Sequence, residues 1–321
     1  MATSETLPLA RPKGRSIESV LVHRWARLLV PSLSDLFFLA VLVWLFMSSG
    51  AAGWQGLLAD ADLGWHIRTG EYILHTHTVP HHDLYSFSKP GAPWYAWEWL
   101  TDVLVAWLHG FAGLKGIVLA AAVLISAFAT TLIRRMALRG VHVMIALAVA
   151  LLGVGAASIH FLARPHILTL LLVSISVWVI EADREQNSRR IWWLIPLTAV
   201  WTNLHGGFLA VIAILGLTAV GTALEVWIAR TGTIRAAVRY AVLTAACAAA
   251  SLVNPYGWKL HVHLREYLQS DWIRSVIQEF QSPTFRAENM LQFEALLLLG
   301  IMVAGALFRR RKIVEGLWIV F

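Results

Sequence analysis

Two aspartates one residue apart, a histidine four positions on and an arginine two beyond it fall in "LLADADLGWHIRTGEYIL", residues 57–74. A carboxylate beside a hydroxyl can act as a general base, and a pair of carboxylates can instead hold a divalent cation through oxygen. A carboxylate can also do no more than cap a helix. Asp62 stands directly before Leu63, Ile67, Ile73 and Leu74, an apolar stripe at helical spacing, so capping a helix that begins at Leu63 competes with a chemical role for it and does not exclude one. Asp60 cannot be that same cap, so its chemical candidacy is the stronger. Arg68 has Glu71 three residues on, a surface pair of little energetic value.

Cationic and imidazole groups that could meet a phosphate lie in three further stretches. "SIHFLARPHI" carries His160, Arg164 and His166; "WTNLHGG" carries Asn203 and His205; "NPYGWKLHVH" carries Asn254, Tyr256, Lys259, His261 and His263. Arg164 precedes Pro165 at the edge of an apolar run, where an arginine either snorkels to the interface or grips an anion. Asn203 and His205 adjoin Gly206 and Gly207, so a hydrogen-bonded helix end competes with a functional role. "NPYG" reads as a turn. The stretch "HTHTVPHHD", residues 75–83, matches no zinc spacing and is expected to be a solvated loop.

The elements that must position these groups are set by composition. The chain has 321 residues, 58% hydrophobic and 14% charged, with 16 tryptophans, and its mean hydropathy is +0.65. That is an integral membrane protein. The net charge of +7 comes from short basic clusters between apolar runs, as orientation signals do, so no nucleic acid is expected as a partner. The single cysteine, Cys247, excludes an intrachain disulfide or a cysteine-based zinc site. The basic "RPKGRS" is followed by a long polar stretch, and no cleavable signal peptide is expected.

Runs long enough to cross about 30 Å of hydrocarbon fall near 33–50, 115–133, 141–162, 165–181, 191–206, 207–229, 239–253 and 293–308. With eight spans both ends share one side, and the basic clusters around Arg11–Arg27, Arg134–Arg139, Arg184–Arg190, Arg230–Arg239 and Arg309–Lys312 fall on it. That side is expected to be the cytoplasm, so the polar stretches above face outward. Segment 94–112, rich in tryptophan and carrying Glu98 and Asp102, is expected to be a helix at the outer interface, with some of it extending the second span. The expected organisation is a cytoplasmic segment over 1–32, a membrane module over 33–308, and over 309–321 the start of a further apolar segment, as in a fragment of a longer chain.

The stretches "DADLGWHIRTGEYIL", "VPHHDLYSFS", "PWYAWEWLTDVL", "RPHILTLLL", "WTNLHGGF" and "NPYG", from about residue 30 to 260, resemble a group of prokaryotic polytopic proteins related to the GT-C glycosyltransferases. The resemblance implies an all-α helical bundle whose first outer loop carries interfacial helices and an acidic motif in an outward-facing active site. It implies a sugar taken from a polyprenyl-phosphate carrier with inversion, and Asp60 and Asp62 match the acidic pair. On that reading Asp60, Asp62 and His66 are the catalytic candidates. Arg164, His166, His205 and Lys259 are the candidates for the donor phosphate, and Asp60 and Asp62 are those for Mg or Mn. The expected location is a prokaryotic plasma membrane. The larger soluble domain that many GT-C enzymes carry has no counterpart in these residues. The alternatives are a transporter or channel component, whose outer polar groups would form a vestibule, and a non-catalytic assembly subunit.

Overall fold

The computed structural model describes residues 31–47, 53–277, 280–282, 284–286 and 290–321; the N-terminal segment expected to be cytoplasmic lies almost wholly outside them. The described residues are helical with no strand, and a single isolated bridge joins His82 to Pro93. Five helices are long and apolar enough to cross a bilayer: Trp99–Leu138, Val143–His160, His166–Gln186, Gly206–Ala229 and Leu291–Arg309. They coincide with five of the eight expected spans.

The other three fall short of the roughly 20 residues a span needs. The described helix at 33–50 is Leu33–Met47, of 15 residues. Segment 191–206 is a tight turn of helix, Arg189–Trp193, followed by the eight residues Leu194–Trp201. Ile234–Ala250 has 17 residues and stops where Ser251 and the "NPYG" turn begin. In the second and third cases a polar or turn-forming residue ends the helix before the apolar run is exhausted.

We name the helices α1 (Leu33–Met47), α2 (Asp62–Thr76), α3 (Trp99–Leu138), α4 (Val143–Ala157), α5 (His166–Gln186), α6 (Leu194–Trp201), α7 (Leu209–Leu224), α8 (Ile234–Ala250), α9 (Trp258–Gln269), α10 (Asp271–Val276), α11 (Leu291–Arg309) and α12 (Ile313–Val320). One core gathers α1, α2, α3, α4 and the start of α5 around Val118, Ile125 and Ala150; a second gathers α5 to α9 around Trp201, Phe208, Leu215 and Leu243. The outer faces of the helices are apolar as well. Only 6% of the most apolar window of α11 is buried, and 17% of that in the helix from Val143. Such a surface is stable only against lipid.

In the segment expected to be an interfacial helix, 94–112, helix begins at Trp99, and a break at Gly113, whose φ of 62° and ψ of −162° no side-chain-bearing residue adopts at low cost, separates it from the helix that continues to Leu138. Before that break Thr101, Asp102 and Ala106 are buried, while Trp107 and Phe111 are exposed. Thr101 and Asp102 therefore point into the protein, while the Trp107 and Phe111 rings point outward.

Charged groups sort to the two ends of the bundle. At one end Arg135 pairs with Glu181 at 2.7 Å, Arg139 with Glu185 at 3.0 Å, Arg184 with Glu225 and Glu315 at 3.2 Å, and Arg239 with Asp183 at 2.9 Å. The opposite end collects the loops around residues 60, 98, 164, 205 and 256, as their mutual contacts below establish. The basic clusters within the described residues, at 134–139, 184–190, 230–239 and 309–312, thus meet at one face. The cytoplasmic placement expected for them predicts that single cysteines at His82 and Gln281, in a Cys247→Ser background, react with an impermeant thiol reagent in intact cells and that one at Gln186 does not. Labelling at Gln186 with protection at His82 would reverse the orientation.

Candidate functional site

Arg164 stands just before α5, and its guanidinium bridges the two aspartates of the opening stretch. Nη1 donates to Asp60 Oδ2 at 2.9 Å and Nη2 to Asp62 Oδ2 at 2.8 Å. A hydrogen bond from Ala163 N to Leu57 O at 2.7 Å ties the two loops together beside this fork. Arg164 is thus a paired residue, and the snorkelling alternative does not describe it.

The capping alternative is corrected. Helix α2 includes Asp62, and the Asp62 side chain makes no cap; instead Asp60 Oδ1 accepts the Asp62 backbone N–H at 2.8 Å. Asp60 therefore spends one oxygen on the first turn of α2 and the other on Arg164. The stripe of α2 is also shifted: Leu63, His66, Ile67, Gly70 and Ile73 are buried, whereas Leu74 is exposed. Arg68 pairs with Glu71 at 2.5 Å on the exposed side, as expected.

As a metal site the aspartate pair fits poorly in this arrangement. A guanidinium already holds an oxygen of each, and among the described residues no group of three or more His, Cys, Asp or Glu is arranged to hold an ion. A divalent cation between them would have to displace a positive charge.

His66 lies on the inner face of α2, and its Nδ1 is 2.6 Å from Asp102 Oδ1. Its Nε2 is 3.8 Å from Glu98 Oε2, and Glu98 Oε1 is 3.5 Å from His205 Nε2. His66 and Asp102 are fully buried, whereas the Glu98 side chain retains 12% exposure. Burial lifts the Glu98 carboxyl to about 7, opposed by His66 and Arg164 and reinforced by Asp102. Burial lowers His205 to about 3, with His166, Arg164 and His66 adding to the effect. Burial also lowers His66, against the pull of Glu98, Asp62 and Asp60. Near neutrality both imidazoles are uncharged and Glu98 is poised between its two forms.

The remaining candidates divide. The His166 and His205 rings are 6.5 Å apart, and His166 Nε2 is 2.6 Å from the His160 carbonyl, so both sit at this end of the bundle near Arg164. Lys259 is not joined to them by any hydrogen bond or ion pair among the described residues. It lines a hollow of about 230 Å³ with His81, Trp94, Tyr95 and Tyr256. Asn203 is structural: it accepts from Trp99 Nε1 at 2.7 Å and donates to the Ala199 and Val253 carbonyls at 2.8 Å. Tyr256 likewise ties the "NPYG" turn to the first loop, donating to Pro80 O and accepting from Ala96 N, both at 2.8 Å.

The histidines of 75–83 are exposed, as expected of a solvated loop, and Asp83 there accepts the Tyr85 and Ser86 backbone N–H groups at 2.8 and 2.9 Å. Glu98 and Asp102 are the groups that the sequence did not single out as site residues. The available signal was two carboxylates inside a tryptophan-rich apolar run, where an ionisable residue is costly enough to mark a function. Comparison with known proteins gives no match: no family model, curated protein or solved structure matches this chain.

Proposed function

We propose that this membrane protein is a GT-C-like glycosyltransferase that moves a sugar from a polyprenyl-phosphate carrier to an acceptor at the extracytoplasmic face of a prokaryotic plasma membrane. The observation that carries the reading is the Arg164 fork. A partly exposed guanidinium stands at the N-terminal end of a 21-residue apolar helix, preorganised by two carboxylates, where a lipid-borne phosphate would arrive. A guanidinium matches two phosphate oxygens at once, and the helix terminus adds partial positive charge. His166 and His205 lie close enough to support the leaving group. Glu98 supplies a carboxyl able to gain and lose a proton near neutral pH. Displacement at the anomeric carbon needs these two parts, a cation for the departing phosphate and a base for the incoming hydroxyl.

In this reading Asp60 and Asp62 act through Arg164 by fixing its direction. Asp60→Asn and Asp62→Asn are therefore expected to raise the donor KM about tenfold, the loss of one charge-assisted hydrogen bond, with a smaller fall in kcat. The assay is transfer from a polyprenyl-phosphate sugar by purified protein in vesicles. Unchanged KM in both variants would remove the fork from donor binding. A proton-coupled transporter would also place a buried carboxylate between histidines, and it predicts solute-driven proton movement in sealed vesicles without any sugar transfer.

A further inference from the structure

Glu98 lies between two imidazoles whose own hydrogen bonds give them different roles. The Gly207 backbone N–H can only donate, and it donates to His205 Nδ1 at 3.0 Å. Trp201 Nε1 donates to Thr169 Oγ1 at 3.0 Å, which leaves the Thr169 hydroxyl to donate to the same Nδ1 at 2.8 Å. His205 Nδ1 is therefore an acceptor, and a neutral ring carries its proton on Nε2, facing Glu98 Oε1. The Nε2–H of His205 thus points towards the Glu98 carboxyl from 3.5 Å.

His66 is not fixed in this way. Its Nδ1 faces a carboxylate oxygen of Asp102, and its Nε2 faces Glu98 Oε2. Either nitrogen of a neutral imidazole can hold the proton, so the ring can accept on one side while it releases on the other. Asp102 Oδ2 is buried with no hydrogen-bond partner among the described residues. One oxygen of the innermost carboxyl thus depends on nothing but the proton state of the group.

We propose that Glu98 takes the acceptor's proton in the transfer step and that His66, held by Asp102, and His205 position its carboxyl from either side. The inference rests on the transferase reading above. In the transfer step the acceptor oxygen bonds to the anomeric carbon while the bond from that carbon to the phosphate oxygen breaks. The electron pair leaves with the polyprenyl phosphate, and the hydroxyl proton goes to a Glu98 oxygen. Glu98, the carboxyl of the pair that retains exposure, then releases that proton to solvent. Among the groups that could take a proton here, Glu98 is 12% exposed, His66 2% and Asp102 0%, whereas His205, 25% exposed, has its acceptor nitrogen already occupied by Gly207 and Thr169. Asp60 is less suited, because both of its oxygens already accept hydrogen bonds from Arg164 and the Asp62 backbone.

The charged and titratable groups around Glu98 are His66 from α2, Asp102 from α3, Arg164 ahead of α5 and His205 ahead of α7, with Asp60, Asp62 and His166 one contact further out. A base must be unprotonated to act, so transfer should rise with pH through about 7 and level off above it.

The test is infrared titration of the purified protein together with the transfer assay. A carboxylic-acid carbonyl band should vanish as pH rises through about 7, should be missing in Glu98→Gln, and should shift its midpoint in His66→Gln. Glu98→Asp, which keeps the carboxyl, should keep a titrating band and shows that the site still folds. In transfer, Glu98→Gln should lose about a hundredfold in kcat and lose the rising limb of the pH profile, whereas Asp60→Asn should keep that limb. A band that does not titrate, or that persists in Glu98→Gln, overturns Glu98 as the base. So does an Asp60→Asn enzyme without the limb. A wild-type protein that shows the Glu98 band but transfers no sugar leaves the buried proton site standing and removes the transferase reading, so the two failures are told apart.

Discussion

Arg164→Ala is expected to weaken binding of a polyprenyl-phosphate donor by roughly 2 kcal/mol, about thirtyfold, the scale of a lost charge-assisted hydrogen bond. Binding of the unphosphorylated polyprenol should hardly change. The physical argument has two parts. Removing the guanidinium takes away the phosphate's partner, and it also leaves Asp60 and Asp62 side by side with no cation between them. Two adjacent carboxylates repel an arriving phosphate, so the loss should be larger at low ionic strength. Arg164→Lys keeps the charge but cannot reach Asp60, Asp62 and a phosphate with one planar fork, and should recover only part of the affinity. The combined variant Asp60→Asn, Asp62→Asn, Arg164→Ala removes the repulsion and isolates the lost contact. Titration of each protein with the two lipids is the measurement. Equal weakening for polyprenol and polyprenyl phosphate would make Arg164 a purely structural tie between the first loop and α5.

The bundle and its two chemically distinct ends were legible in the sequence because they depend on one-dimensional patterns, apolar run length and the spacing of arginines. Five spans coincide with helices of full length for that reason. The short helices α6 and α8 were not legible, since a hydropathy window averages over the break after Trp201 and the Ser251 turn. The site was legible in part. Asp60, Asp62 and Arg164 were each singled out by type, yet their union depends on a contact across 104 and 102 residues that no local pattern encodes. Their pairing also changes their roles, from separate base and phosphate clamp to one assembled fork. His66 was grouped with the aspartates by proximity in the chain, whereas its partners are Asp102 and Glu98 on the far side of the first loop. Glu98 and Asp102 were obscured by the aromatic run around them, which reads as interface. Only the burial of Thr101, Asp102 and Ala106 on one face of α3 shows that this run has an inner side.

That inner side depends on Gly70, and Gly70→Ala is expected to destabilise the protein by roughly 2–3 kcal/mol, the scale of overpacking in a tight core. A Cβ at Gly70 would fall 1.9 Å from the Asp102 carbonyl oxygen and 2.6 Å from the Ala106 Cβ. The obstacle is backbone, so no rotamer change relieves it, and α2 must move away from α3 as a whole. His66 lies one helical turn before Gly70 on the same buried face of α2, so the same movement lengthens the 2.6 Å contact with Asp102. Stability and proton chemistry should therefore fail together: a lower melting temperature in detergent, and a displaced titration midpoint for the Glu98 carbonyl band. Gly64 is the internal control. It lies on the same helix with nothing within 4 Å of an added Cβ, and Gly64→Ala should melt no lower than the wild type, since alanine favours helix over glycine by about 1 kcal/mol. If Gly70→Ala melts with Gly64→Ala and leaves the band in place, α2 and α3 do not cross as closely as the site requires, and the His66–Asp102 contact has some other support.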